Sequence, residues 1–371
     1  MKEGASRALK LILGLGISGL LIWLTLRGDV PCGPDQVAAT GGDCRVSKIA
    51  QLVSSLGNAN YLALIPYFGF LVVIHFCRTI RWGILLEPIG KPTFQRLNSA
   101  SAIGFMALVT MPFRLGEFAR PLLIAEKGRI RRSAAMASVV VERVIDGIAM
   151  AIVLIVALLC SKPATTDQKS LALVRASGWI VFAFFFALLV FCVVAYVKRE
   201  WAVRLTERVF SPVSAKLARR LAGMLDAFIG GLKMVPDGKK IALFVALTVV
   251  YWGLNGVGMM MLARAGFGLP LELIAAFTVL GVLVAGVMIP AGPAMLGTFH
   301  WAIIVGMSLF FPEPAQYGKV VAYAWVVWGA QFSQQVLFGL YFLVRGHVAF
   351  GSLWRTSTGD DEDEEGPRAA A

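Results

Sequence analysis

The chain is short of charge. Asp, Glu, Lys and Arg supply only 15% of its 371 residues, whereas 58% are hydrophobic. A soluble domain carries about 25% charged residues and under half apolar ones, so a water-exposed globule is excluded. Histidine is scarce as well: three, at 75, 300 and 347, too scattered to be read as a metal site. There is no Walker-type phosphate loop, no His-Glu-x-x-His, no Cys-x-x-Cys and no Gly-x-Ser-x-Gly. No cofactor or metal is therefore expected, and no ATP-driven step; passive scrambling or ion coupling remain. A soluble basic domain is lacking too, so the net charge of +13 does not point to nucleic acid.

What the chain does have is long apolar runs, with a mean hydropathy of +0.74. About 20 apolar residues cross a bilayer. Candidate spans are 9–26, 58–77, 133–160, 171–197, 241–263 and 320–344, with weaker stretches at 97–111, 272–290 and 299–311. Continuous runs of this length are helical rather than the alternating strands of a barrel. The expected fold is an all-α polytopic membrane protein. The N-terminal run resembles a signal peptide, but Arg27 and Asp29 follow it instead of a small-residue cleavage site, so an uncleaved helix is expected.

Basic residues orient the chain. The stretch 198–240 holds ten Lys/Arg against four Asp/Glu, and 112–132 holds six Lys/Arg; both are read as cytoplasmic. The loop 28–47, with Asp29, Asp35 and Asp43, is read as outward. Cys32 and Cys44 lie in that loop and either pair or remain free thiols; Cys77, Cys160 and Cys192 are read as small core residues. Residues 212–232 have an amphipathic pattern that fits a helix lying in the interface or a linker helix packed on the protein. The tail 355–371 carries six acids and reads as disordered. Discounting those acids together with Arg355 and Arg368 leaves 33 basic and 16 acidic residues on the rest of the chain, which suits an anionic inner leaflet.

Counting crossings from a cytoplasmic N-terminus makes 97–132 begin and end inside, and 272–311 begin and end outside. Each is then a hairpin or re-entrant pair. Each also contains a helix-breaking turn of one pattern: Pro112, Leu115, Gly116 and Phe118 in "MPFRLGEFAR", and Pro293, Leu296, Gly297 and Phe299 in "GPAMLGTFHW". The reading is an inverted repeat, with half one about 58–197 and half two about 241–345 inside a single domain, 1–354. Broken helices of such repeats place sites near the midplane.

Three charged groups accompany the breaks. Arg114, Glu117 and Arg120 are spaced i, i+3, i+6; guanidinium forks suit phosphate or carboxylate, but the arginines also fit ordinary cytoplasmic anchors. Glu142, Arg143 and Asp146 sit in "VVERVIDG". Glu142 lies nine positions past Ser133, about 14 Å into the bilayer. At that depth charges line a polar cavity or tie helices together. His300 follows the second break beside Trp301 and reads as a site residue or an interface histidine.

"RLGEFAR" followed by "ERVID" resembles the R-x-G-E-x-x-R … E-R-x-x-D signature of the lysylphosphatidylglycerol synthase transmembrane region, the flippase-like family. "PAMLGTFH" is similar to its P-G-G-x-G-x-x-E, with Ala294 and Met295 standing for Gly-Gly and His300 for Glu. The resemblance covers about residues 5–345. It implies a membrane protein that moves a lipid between leaflets. In the best-known members a cytosolic aminoacyl-transferase domain follows; here the last helix ends near 345 and the sequence at 371, so that domain is not expected. The leading expectation is a lipid flippase of an inner membrane with cytoplasmic termini. Its partner is an anionic or polyprenyl-linked lipid, met by Arg114 and Arg120 with Glu117 orienting them, and by Glu142, Arg143, Asp146 and His300. A membrane-embedded transferase acting on a lipid carrier, with His300 as base, is the alternative, as is a non-catalytic partner of a separate synthetase.

Overall fold

The computed structural model describes residues 2–31, 44–111, 116–125, 130, 132–164, 168–212, 214–215, 218, 222–223, 237–289 and 292–345, with backbone alone for 2–13 and for parts of 168–196. Pro112, Arg114, Cys32, most of 212–232 and the acidic tail lie outside the described residues. Helices dominate: α1 Lys2–Leu26, α2 Lys48–Gly57, α3 Leu64–Leu86, α4 Phe94–Thr110, α5 Ala119–Ile124, α6 Arg132–Cys160, α7 Gln168–Val197, α8 Arg199–Phe210, α9 Gly238–Met261, α10 Leu273–Gly286, α11 Thr298–Ser308 and α12 Tyr317–Val344. A small antiparallel ribbon, β1 Asp29–Pro31 with β2 Arg45–Ser47, joins α1 to α2. The protein is thus an all-α membrane protein but for that ribbon. Three segments among the described residues are long and apolar enough to cross a bilayer: Tyr61–Leu86, Arg132–Cys160 and Gly238–Gly266. The helix α12 matches them in length but carries Gln331, Gln334 and Gln335 along its middle, which lowers its apolarity.

Helix ends gather on two faces. On one, the Tyr317 hydroxyl donates to the Thr25 carbonyl at 2.6 Å, Gly318 N–H donates to Gln51 Oε1 at 3.1 Å, and Asn60 N–H donates to the Gly266 carbonyl at 2.8 Å. The end of α1 and the starts of α3 and α12 therefore lie with the end of α9. On the other face Lys240, early in α9, meets Glu87, just past α3, at 2.7 Å. The hydrogen bond from Lys240 holds the Glu87 carboxyl below the usual carboxylate range. Cys44, beside the ribbon, is disulfide-bonded. Of the cysteines read as core, Cys77 is buried but Cys160 is exposed, because it ends α6.

The span expected at 58–77 runs instead from Leu64 to Leu86. Arg78 and Arg81, which follow the expected run, lie within the helix, and Arg81 is fully buried. Positive charge marks a helix end only when nothing inside neutralises it. Here Asp146 does, and the apolar Trp82, Ile84 and Leu86 continue the span to full burial.

Among the described residues α4 ends at Thr110 and α5 starts at Ala119, α10 ends at Gly286 and α11 starts at Thr298, and the helices of each pair pack on each other. The helix α4 buries Ser99, Ala100, Ser101, Ala102 and Gly104, small residues that let backbones approach closely. Gly116 lies on α4 so closely that a methyl there would overlap the backbone of Ala107 and Leu108. The obstacle is main chain, which cannot rotate away. Gly116→Ala is therefore expected to destabilise the fold by roughly 3 kcal/mol or more. Thermal unfolding of the purified protein in detergent checks this, and an unchanged melting temperature rejects the close packing.

Candidate functional site

The site is built from four arginines and three carboxylates contributed by three segments. From α3 come Arg78 and Arg81, one turn apart. From the first break and α5 come Glu117 and Arg120. From α6 come Glu142, Arg143 and Asp146. Glu142 has no exposure at all and Arg120 only 3%. Charges so deep persist only when paired, and these are. Arg120 Nη1 lies 3.0 Å from Glu142 Oε2. Arg143 Nη2 bridges both acids, 3.4 Å from Glu142 Oε1 and 3.6 Å from Asp146 Oδ2. Arg81 Nη2 donates to Asp146 Oδ1. Aromatic rings close the remaining faces: the Arg120 guanidinium lies 4.3 Å from the Trp82 ring and 4.6 Å from Phe105, and that of Arg81 lies 4.6 Å from Phe244.

Arg78 differs from the other three. Its guanidinium stacks 3.6 Å over Phe105 and has no carboxylate within ion-pairing distance among the described residues. It lines a cavity of about 430 Å³. Glu117, Arg143 and Asp146 line it too, along with Tyr251 and Asn255 of α9 and Gln331 and Gln335 of α12. Apolar side chains complete the lining, among them Phe184 and Phe185 of α7, Leu280, Leu283 and Val284 of α10, and Phe299 of α11. The lining therefore combines charged, polar and apolar side chains, as the surroundings of an amphiphile would. Both breaks reach it, the first through Glu117 and the second through Met295.

Placed against the sequence reading, the structure brings Glu117, Arg120, Glu142, Arg143 and Asp146 together. Arg120 pairs with Glu142 in the interior. A 3-10 turn at 116–118 leads directly into α5, and Glu117 lines the cavity. Arg114 lies outside the described residues. His300 is not on the cavity. It projects from α11 toward α12, 1% exposed, with its ring 4.0 Å from that of Trp325 and 5.3 Å from that of Trp328. Neither ring nitrogen has a hydrogen-bond partner among the described residues. The cavity residues not anticipated are Arg78, Tyr251, Asn255, Gln331 and Gln335. A signal for them exists, since Tyr251/Asn255 and Gln331/Gln335 are polar pairs at i, i+4 within apolar helices.

The second break is held open by strain. Ala294 and Met295 adopt φ of 61° and 52°, a region that L-residues avoid, and Gly297 adopts 84°. Surrounding contacts impose the shape: Gly292 N–H donates to Ser18 Oγ at 3.2 Å, and the Trp328 indole N–H donates to the Ala294 carbonyl at 2.9 Å. The left-handed region costs a non-glycine residue about 1 kcal/mol or more. Ala294→Gly is therefore expected to raise the melting temperature by a few degrees, measured by thermal unfolding; a fall would mean that the strain is not relieved there.

No curated protein matches this chain. Its two breaks, its α6 charge signature and the cavity between them all fall within residues 11–339, which match the family model described as "Lysylphosphatidylglycerol synthase TM region". The chain is a member of that family.

Proposed function

We propose that this protein moves an anionic or carrier-linked lipid between the leaflets of an inner membrane, as a transporter and not as a transferase. The single observation that carries the reading is Arg78. Three guanidiniums of the buried cluster face carboxylates, and the fourth lines a cavity of charged, polar and apolar side chains. An anionic head group is the missing partner, met by Arg78 with Arg143 beside it, while the apolar side chains accommodate chain carbons. Arg120 and Glu142 act as the brace that holds Arg143 in place.

In this reading the two hairpins are equivalent parts of two inverted halves, α3 to α7 and α9 to α12, and both termini are cytoplasmic. Supporting it, the ends of α1 and α9 share a face with the starts of α3 and α12, while Glu87 and Lys240 meet on the other. Broken backbone at depth is tolerated where it lines a cavity, as Met295 does.

The test is leaflet exchange by the purified protein in liposomes carrying a fluorescent phosphatidylglycerol. A membrane-impermeant quencher is expected to reach probe beyond the outer-leaflet share, with no change in the lipid on chromatography. A new covalent product would favour the transferase reading. Protection of the inner leaflet with no product would leave a non-catalytic partner.

A further inference from the structure

The helix α1 meets the bundle along one narrow face. Gly14 and Ser18, about one turn apart, are buried, whereas Leu15, Leu20 and Trp23 are more than half exposed. That face packs on the second break and on α11. Its partners are glycines. A methyl added at Gly292 would meet Ser18 Oγ at 3.0 Å and the Gly14 carbonyl at 3.2 Å, and one at Gly297 would overlap the Ser18 backbone. Small residues on both sides let the two main chains approach closely. A hydrogen bond crosses the contact, from Gly292 N–H to Ser18 Oγ at 3.2 Å. The far end of α1 is fixed separately, where the Thr25 carbonyl accepts from the Tyr317 hydroxyl at 2.6 Å. The helix is thus anchored at Thr25 and tied to the break at Ser18, about 10 Å away along its axis.

What the tie holds is strained. Ala294 and Met295, two and three residues past Gly292, sit at positive φ, 61° and 52°. Met295 lines the cavity, as does Phe299 just beyond the break. From α12 the Trp328 indole N–H holds the Ala294 carbonyl, and Gln331, about one turn further on, lines the cavity as well. Backbone strain of this kind persists only where its surroundings impose it, and it clusters at switch segments where it is part of the mechanism.

Resting on the lipid-transport reading above, we propose that α1 is a latch on the second break: Ser18 holds the break in its strained shape, and the break must leave Ser18 for a lipid to cross. Release lets Ala294 and Met295 relax and so reshapes the cavity at Met295. The strain favours release and the hydrogen bond opposes it, which makes the break a two-state element. An interface of small residues suits such a joint, because no interlocked side chains have to be withdrawn.

The experiment closes the latch covalently. A β-carbon at position 292 stands 3.0 Å from Ser18 Oγ, within disulfide reach for the double variant Ser18→Cys with Gly292→Cys. Gly292 has φ of −65°, which a side chain tolerates. Leaflet exchange of fluorescent phosphatidylglycerol is measured in proteoliposomes before and after oxidation, with the joined peptide identified by mass spectrometry. Oxidation is expected to slow exchange at least tenfold, and reductant to restore it. The wild type receives the same treatments, because Cys44 is itself disulfide-bonded. Full-rate exchange by the cross-linked protein would overturn the latch and leave lipid transport standing. Failure of the pair to cross-link would overturn it as well, since Ser18 and Gly292 would not then be neighbours. Absence of exchange by the wild type would overturn the transport reading and the latch together. Two single changes read the balance without a cross-link. Ser18→Ala removes the tie and should exchange about twofold to tenfold faster, the worth of one neutral hydrogen bond. Ala294→Gly relieves the strain and should exchange more slowly while melting higher, opposite directions that a merely structural contact would not produce. An unchanged or slower rate in Ser18→Ala, or a faster one in Ala294→Gly, would overturn the proposal.

Discussion

Arg78→Gln is expected to slow leaflet exchange of an anionic lipid about a hundredfold, because a charge-assisted bond to phosphate is worth roughly 1.5–3 kcal/mol and each 1.4 kcal/mol is a factor of ten. Melting should hardly move. Arg78 has no carboxylate within ion-pairing distance among the described residues, and its replacement strands no buried acid. What goes is its stacking on Phe105, about 1 kcal/mol. Arg78→Lys should recover only part of the rate, since an ammonium keeps the charge but not the planar fork. The contrast lies one turn away. Arg81→Gln should damage stability instead, because Asp146 would lose its closest cation at a site with no exposure on the arginine side. Exchange measured in proteoliposomes, alongside unfolding in detergent, separates the two. Normal exchange by Arg78→Gln would remove the head-group assignment.

The difference between Arg78 and its neighbours also marks what the sequence could disclose. The apolar helices were legible because hydrophobic length is a local rule. The sidedness of individual charges was not. By local rules Arg81 looks like an anchor at the end of an apolar run, and only the placement of Asp146 from α6 beside it turns it into a buried ion. Arg114, Glu117 and Arg120 looked like one helical face because their spacing is helical. Spacing alone did not show that Arg120 meets Glu142, 22 positions on. His300 looked like a site residue because it follows the second break. On α11, though, the cavity side belongs to Phe299, and His300 faces Trp325 and Trp328. Asn255 and Gln331 carry no charge, and the signal they leave is fainter: polar pairs at i, i+4 within apolar helices.

Glu142→Gln is expected to be the most destabilising of the charge changes, by about 3–5 kcal/mol, the cost of stripping the partner from a buried ion. Glu142 is fully buried and holds two guanidiniums, Arg120 at 3.0 Å and Arg143 at 3.4 Å. Glutamine keeps the shape and offers one acceptor oxygen, but no charge. Arg120 would suffer most, being nearly sealed from solvent between Trp82 and Phe105, with Nε and Nη2 already lacking hydrogen-bond partners. Arg143 retains Asp146 at 3.6 Å and the cavity's edge. The loss should therefore be recoverable by removing the stranded charge. Arg120→Met together with Glu142→Gln should melt closer to the wild type than Glu142→Gln alone, since apolar replacement of a buried ion is often neutral. Strict additivity of the two changes would show that the pair is not coupled, and would return Arg120 to the pool of candidate head-group ligands. If coupling holds and the double variant still exchanges lipid, Arg120 and Glu142 are the brace and Arg78 the contact.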